Sequence, residues 1–242
     1  MRFLLPTLII IYITQLSSGA QTIKLIESSP EYIKVELSYA GYYKIKEKVY
    51  QGKKFVYIER DGVSFRKPGE PWLPTQIYNF GVPYNKKANY KILSLIQEKM
   101  QNILVLPYPD SLNQPFNKLT FDASIYTNNK FFPPLPVNVT GHFIMRYVNG
   151  TSLEAAPYQY NPISRELLFN NKIVVQISFD TDPLSHISTT KIKDKFTEDF
   201  IATGFINPKE AIEFIGKPVI PNRVVQDTIM SKSAHTPKQI SK

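Results

Sequence analysis

The stretch APYQYNPISRELLFNNKIVVQISF, residues 156–179, predicts two β-strands joined by a turn. Asn161-Pro162 is typical of a turn, because Asn tolerates left-handed backbone and Pro restricts φ. The apolar run Ile173-Val174-Val175 consists of β-branched residues, which pack well on a pleated surface. This segment therefore indicates a β-rich domain.

Short strands with period-two alternation continue through most of the chain. Examples are YIKVELSY at 32–39, KFVYIER at 54–60 and YKILSLI at 90–96. Aromatic residues make up 13% of the sequence and 19 residues are Pro, a composition that suits strands and turns better than a helical bundle. Many short strands separated by turn residues predict an all-β sandwich or barrel.

Two further pairs are predicted hairpin turns. Asn149-Gly150 lies between two apolar segments, and both central positions of a type I′ turn require positive φ. Asn170-Asn171 separates RELLF from KIVVQISF and tolerates the same geometry. The polar sequence QEKMQ at 97–101 is predicted to link two strands.

One short helix is expected near the C-terminus. In INPKEAIEFIG, residues 206–216, Asn207 is the predicted N-cap, Pro208 occupies the first turn and Gly216 ends the helix. The polar sequence after it is predicted to be a flexible tail or linker. The expected organisation is a signal peptide at 1–20, a β-sandwich at 21–205, the helix at 206–217 and the tail at 218–242.

The first residues have the features of a secretory signal peptide. Arg2 provides a positive start, residues 3–16 are mostly apolar, and Ala20 supplies a small residue of the kind that signal peptidase requires. Cleavage is predicted between Ala20 and Gln21, with an uncleaved anchor helix as the alternative. We therefore expect a protein that is secreted, periplasmic or at the cell surface, with no membrane attachment after cleavage.

The sequence has no recognisable catalytic set. It contains no Cys, which excludes disulfides, Cys-ligated zinc and a thiol nucleophile within these residues. The three His residues lack metal-ligand spacing, and no serine-nucleophile motif is present. We therefore expect no catalytic residue, no metal and no cofactor.

The net charge of +9 raises the question of an anionic partner. The lysines are scattered rather than aligned on one helix, and no nucleic-acid-binding motif accompanies them. A nucleic-acid partner is therefore not expected. The positive charge is better interpreted as attraction to an acidic protein surface.

A Pro-rich segment, KPGEPWLPTQIYNFGVPYN at 67–85, interrupts the strand pattern. Pro74 blocks a helix and forces Leu73 into an extended conformation. The lone Trp72 beside it is expected to anchor a rigid loop to the core, with a plain Pro-rich connector as the alternative.

Taken in order, several segments resemble the prodomain of gingipain-type cysteine peptidases. They are GEPWLP at 69–74, KFFP at 130–133 and PYQYNP at 157–162, followed by the strand KIVVQISF. The resemblance covers roughly residues 33–179. The motif residues that carry it are Gly69, Pro71, Leu73, Pro74, Phe131, Phe132, Pro133, Pro157, Gln159, Tyr160, Asn161 and Pro162.

The resemblance implies a jelly-roll-like antiparallel β-sandwich from a bacterium that uses type IX secretion. In that family the prodomain holds a cysteine peptidase catalytic domain inactive and assists its folding. The implied partner is that domain, in cis or in trans. Two alternatives remain open. One is a carbohydrate- or surface-binding module that uses tyrosines such as Tyr42, Tyr43 and Tyr158. The other is the N-terminal domain of a type IX sortase-like protease.

The resemblance also implies an inhibitory loop and a processing site. In the family, an Arg after the strand corresponding to NILVLP enters the specificity pocket of the peptidase. The corresponding loop here, residues 108–124, has no Arg, and Lys118 is its only basic residue. Lys118 is therefore the inhibitory candidate, with a solvated lysine as the alternative. Arg223 is the candidate for the cleavage that releases the prodomain, with Lys217 and Lys232 as rivals.

Overall fold

The computed structural model describes residues 22–41, 43–59, 67–84, 86–110, 119–145, 148–181 and 195–214. Most of this part of the chain is β-strand, and the strands pair antiparallel throughout. The strands are β1 Thr22–Ser28, β2 Tyr32–Ser38, β3 Lys44–Tyr50, β4 Lys53–Glu59, β5 Gln76–Gly81, β6 Lys86–Met100, β7 Val137–Met145, β8 Val148–Ala155, β9 Tyr158–Asn161 and β10 Glu166–Thr181. The helices are α1 Ala123–Tyr126, α2 Lys195–Gly204 and α3 Pro208–Glu213. The predicted all-β class is confirmed.

The larger sheet is built around β10. Its strand order is β1-β2-β10-β6, and the first residues of β10 also pair with β9. Ile173 in β10 lies opposite Leu37 of β2 on one side and Leu95 of β6 on the other. The apolar run that predicted a strand is therefore at the centre of the sheet.

A second sheet packs against the first and closes a sandwich. Its order is β5-β8-β7, and Tyr78, Phe80 and Leu153 from it share one buried cluster with alternate residues of β2 and β10. Ile33, Val35 and Leu37 in β2 are all fully buried, as the alternating pattern requires. The predicted sandwich is thus the observed architecture.

The third sheet is the hairpin of β3 and β4. The two residues between these strands, Gln51 and Gly52, have φ of 48° and 72°, the left-handed geometry of a type I′ turn. β4 contributes Val56 and Ile58 to a second buried cluster, whereas β3 is exposed along nearly its whole length.

The C-terminal helical signal corresponds to α3, and α2 is an additional helix. Asn207 is the residue before α3, as predicted, but its side chain makes no capping hydrogen bond to the helix. Instead, its amide binds both backbone groups of Gly81 at the end of β5. This buried side chain therefore attaches α3 to the sandwich.

The predicted turn at Asn161-Pro162 is confirmed. β9 ends at Asn161, and the Asn161 side chain accepts hydrogen bonds from the N–H groups of Ile163 at 3.1 Å and Ser164 at 3.2 Å. β10 begins at Glu166, opposite Asn161. The hydrogen bonds of this turn join residues that are close in sequence, which is why the sequence alone predicts the turn.

Two predicted turns and one predicted link are wrong, because the strands continue through them. Asn149 and Gly150 are paired within β8, opposite Ile144 and Phe143. Asn170-Asn171 lies inside β10, where a bulge follows Asn170. The 97–101 segment is mostly strand, since β6 runs to Met100. Among the described residues, no helix has both the length and the apolar character needed to cross a membrane.

Candidate functional site

The loop proposed from the resemblance, residues 108–124, starts from a rigid base. The N–H of Gly69 donates to the carbonyl of Tyr108 at 2.9 Å, and the N–H of Tyr108 donates to the carbonyl of Glu70 at 2.7 Å. The N–H of Trp72 donates to the carbonyl of Leu106 at 2.8 Å. The GEPWLP segment therefore pairs with the residues that lead into the loop.

The other end of the loop is anchored as well. Leu119 is buried, and its N–H donates to the hydroxyl of Tyr50 at 3.2 Å. The N–H of Asp122 donates to the carbonyl of Gly69 at 3.0 Å. The Asp122 carboxylate caps α1 by accepting from the hydroxyl and N–H of Ser124, and these bonds lower its pKa. Both ends of the loop thus meet at Gly69.

Gly69 is required by this geometry. Its φ is +88°, a conformation that L side chains rarely adopt. A Cβ at this position would lie 3.2 Å from the backbone nitrogen of Asp122. The glycine of the GEPWLP motif therefore lets the two ends of the loop approach each other.

Trp72 anchors the base, as predicted. It is 4% exposed, and its ring lies 4.7 Å from the ring of Tyr57 and 5.3 Å from that of Tyr108. Phe55, Leu106 and Leu119 complete a buried cluster around it. Aromatic contacts of this kind stabilise beyond the area that they bury.

The two remaining motif segments pair with each other. Phe132 and Tyr160 exchange backbone hydrogen bonds of 2.8 Å in both directions, and the Gln159 side chain donates to the carbonyl of Pro133 at 2.9 Å. The motif residues that are buried are Gly69, Pro71, Leu73, Pro74, Pro157, Gln159, Tyr160 and Asn161; those that are half-buried are Phe131, Phe132, Pro133 and Pro162. The segments that carry the resemblance thus bond to each other and to the base of the loop.

A pocket of about 530 Å³ opens beside the loop base, at a place where no sequence motif predicts one. It lies where the β3–β4 hairpin, the segment entering the loop, the segment leaving it and the β9–β10 turn meet. It is lined by Tyr50, Gln51, Lys53, Lys54, Phe55, Leu104, Val105, Phe121, Tyr126, Tyr160, Pro162 and Arg165. Five aromatic residues and three cationic residues therefore contribute to the lining.

Several predicted site residues lie outside the described part of the chain. These are the cleavage pair Ala20 and Gln21, the inhibitory candidate Lys118, and the processing candidate Arg223. Within that part, no group of His, Cys, Asp and Glu is arranged to hold a metal ion.

The tyrosines considered for carbohydrate stacking do not form an exposed platform. Tyr42 lies outside the described residues, Tyr43 is half-buried and Tyr158 is 4% exposed. Tyr158 stacks on Phe169 at 4.8 Å, and burial raises the pKa of its hydroxyl to about 12. The rings of Tyr43 and Tyr158 therefore belong to the core rather than to a sugar-binding face.

Comparison with known proteins shows to which family these features correspond. Residues 14–210 match the family model Propeptide_C25. The chain is 27% identical over 150 residues to gingipain R1 of Porphyromonas gingivalis, and the match covers 61% of the chain and 15% of that relative. It is 25% identical over 152 residues to gingipain R2 of the same species, covering 61% of the chain and 21% of that relative.

Two solved structures share the fold. One is the complex of the Porphyromonas gingivalis RgpB pro- and mature domains, with a TM-score of 0.67, 20% identity, and coverage of 78% of this chain and 97% of that chain. The other concerns the zymogenic latency of gingipain K from the same species. Its TM-score is 0.53 and its sequence identity is 17%. It covers 68% of this chain and 96% of that chain.

Proposed function

This chain belongs to the Propeptide_C25 family, and on that premise we propose that it keeps a gingipain-like cysteine peptidase latent and assists the folding of its catalytic domain. The match over residues 14–210 is the observation that carries the proposal. The chain is a propeptide domain rather than a catalytic one, in keeping with its lack of Cys. Its matches span only a small part of the curated relatives, so the activity of a whole precursor is itself part of the proposal.

The fold supports this role because it has a rigid scaffold and an anchored loop. An inhibitor loses less conformational entropy on binding when its contact loop is held before binding. The hydrogen bonds at Gly69, Tyr108 and Asp122 fix the two ends of that loop here. The fold shared with the pro-domain in the RgpB complex of pro- and mature domains supports such a partner.

The proposal is tested by inhibition in trans. Purified chain beginning at Gln21 is titrated into the catalytic domain of a C25 peptidase from the same genome, and hydrolysis of a peptide substrate is recorded. We expect inhibition at micromolar chain or below. Refolding of the catalytic domain with and without the chain measures the folding role. Unchanged hydrolysis at micromolar chain would refute latency.

Within this proposal, Lys118 is the residue that enters the specificity pocket. A Lys or Arg pairs with a carboxylate there, which offsets the loss of hydration of the cation. Truncating one partner of a buried charge pair costs about 2–5 kcal/mol, so Lys118→Ala should weaken inhibition by about 30-fold or more. Lys130→Ala, at an exposed lysine beyond the loop, is the control. Equal inhibition constants for both variants would exclude Lys118 from this role.

Export and processing belong to the same proposal. A signal peptide cut between Ala20 and Gln21 would place the protein outside the cytoplasm, and cleavage after Arg223 would release the prodomain. Mass spectrometry of the secreted protein gives both cut sites directly. An N-terminus other than Gln21, or a product that retains Arg223 internally, would refute the corresponding assignment.

A further inference from the structure

We infer that the pocket beside the loop base is a second docking site for the peptidase domain, and that it takes an acidic segment bearing an apolar or aromatic side chain. The inference rests on the proposed function and adds a contact that the inhibitory loop does not require. The walls of the pocket, its rim and its position each support this docking site.

One part of the wall is a group of neighbouring aromatic rings. The ring of Phe121 lies 6.5 Å from Tyr50, 6.1 Å from Phe55 and 4.9 Å from Tyr126. The hydroxyl of Tyr126 donates to the carbonyl of Val105 at 3.0 Å, and that of Tyr160 donates to the carbonyl of Ile103 at 3.2 Å. Because these hydroxyls are already bonded, the rings offer mainly apolar surface to an occupant.

The rim carries positive charge that the other described residues do not neutralise. Lys54 pairs with Glu47 at 2.7 Å, but the exposed side chains of Lys53 and Arg165 have no ion pair or hydrogen bond among the described residues. A cleft lined by one sign of charge attracts ligands of the opposite sign. An acidic occupant would thus pair with the cations of the rim.

The turn that holds Arg165 does not account for an Arg there. Arg165 has a φ of +53°, a conformation in which Asn and Gly are the usual residues. Its carbonyl accepts from the N–H of Ile103 at 3.0 Å, a backbone contact that any residue could make. The guanidinium has no hydrogen bond or ion pair with the residues that the structure describes, and it lines the pocket, where it can meet a ligand.

The position of the pocket points to the peptidase as the source of the acidic segment. The hydroxyl of Tyr50, a pocket residue, receives the N–H of Leu119, which directly follows Lys118. Phe121, another pocket residue, lies two positions further on. A partner bound at the loop would therefore lie next to the pocket. The volume of about 530 Å³ is within the ~300–1,000 Å³ usual for ligand pockets.

The test uses the same inhibition assay with charge variants of the rim. We expect Lys53→Glu combined with Arg165→Glu to raise the inhibition constant by about tenfold or more and to reduce its dependence on salt. Arg165→Asn alone should raise the inhibition constant less, because it removes one positive charge without adding a negative one. Asn also suits the left-handed backbone at this position. Lys87→Glu, at an exposed lysine of β6 outside the pocket, should leave the constant unchanged. Thermal unfolding of each variant checks that it is folded.

A second arm tests the pocket without the peptidase. A fluorescein-labelled peptide EEFEE should bind the wild-type chain, KKFKK should not, and the double variant should lose EEFEE. If the wild-type chain inhibits and the double variant inhibits equally well, the inference fails while the proposed function stands. If the wild-type chain does not inhibit, the proposed function fails, and EEFEE binding alone decides whether the pocket is acid-selective. If a sulfated oligosaccharide binds and EEFEE does not, the ligand of the pocket is an anionic glycan instead of an acidic peptide, and the inference is overturned.

Discussion

Replacing Asn207 by Ala tests how the C-terminal helices are held on the sandwich. Asn207 is fully buried, its Oδ1 accepts from the N–H of Gly81 at 2.8 Å, and its Nδ2 donates to the carbonyl of Gly81 at 3.2 Å. Gly81 itself is in close contact with α3, because a Cβ there would lie 2.4 Å from the Cβ of Ala211. This close contact places α3 directly against the end of β5.

The expected loss follows from the two backbone groups that Asn207→Ala leaves without partners. A buried donor or acceptor deprived of its hydrogen bond costs about 1–3 kcal/mol. Two such groups at Gly81 lead us to expect a loss of about 3 kcal/mol in the free energy of unfolding, or about 6–12 °C in Tm for a domain of this size. Asn138→Ala, at an exposed position of β7, should change the free energy by less than about 0.5 kcal/mol.

Urea denaturation followed by circular dichroism and by Trp72 fluorescence measures this loss. Asn207→Asp separates the two bonds, because a carboxylate accepts from the Gly81 N–H but cannot donate to the Gly81 carbonyl. Burial should raise the pKa of the carboxyl that Asn207→Asp introduces. The free energy of unfolding that Asn207→Asp loses relative to Asn207→Ala should therefore be smallest at low pH and grow as the pH rises through the raised pKa. A deficit for Asn207→Ala no larger than that of the Asn138→Ala control would refute the reasoning.

Three further results are expected. Trp72→Ala should lose about 3–5 kcal/mol and Trp72→Phe distinctly less, measured by urea denaturation with circular dichroism; equal losses would contradict a packing role. Gly69→Ala should lose more than about 1 kcal/mol, because φ is +88° and the Asp122 nitrogen is 3.2 Å from the new Cβ, and it should speed proteolysis of the loop. Burial raises the pKa of Tyr158 to about 12, so its stabilising effect is complete below pH ~10 and declines by about 1.4 kcal/mol per unit as the pH rises toward that value. Tyr158→Phe should flatten that decline, and an unchanged alkaline slope would speak against it.

The parts of the fold that the sequence predicts well depend on near neighbours. Ile33, Val35 and Leu37 alternate with polar residues and are all buried, because the two faces of a strand differ in solvent access. The Asn161 turn is stabilised by bonds that span two and three residues. A local rule is enough in both cases, because the groups that decide the conformation are adjacent in the sequence.

The failures involve partners that are distant in sequence. Asn170 is buried within β10, where its amide donates to the carbonyl of Ala156 and accepts from the Gln97 side chain, both at 2.6 Å. Gly150 lies where a Cβ would be 2.5 Å from the ring of Phe143, so its small size serves packing rather than a turn. No local rule distinguishes these uses of Asn and Gly from hairpin turns.

The pocket could not be predicted for a related reason. Gln51 and Arg165 come from different turns, and the aromatic residues beside them come from segments between those turns. The pairing of β4 with the segment entering the loop, through Val56 and Val105, and the hydrogen bond between Ile103 and Arg165 bring them together. A site made by tertiary pairing alone has no contiguous sequence pattern.

The residues that carry the family resemblance and those proposed to contact the partner are different sets. Gly69, Phe132 and Tyr160 hold the scaffold through backbone geometry and hydrogen bonds. Lys53 and Arg165, on the pocket rim, are exposed, and their side chains make no hydrogen bond or ion pair with the other described residues. Substitution at the rim should therefore cost little stability, whereas substitution at the scaffold should cost much. A propeptide built in this way can change the peptidase that it recognises while its fold stays the same, so partner specificity must be measured at the loop and the rim and cannot be taken from the family match.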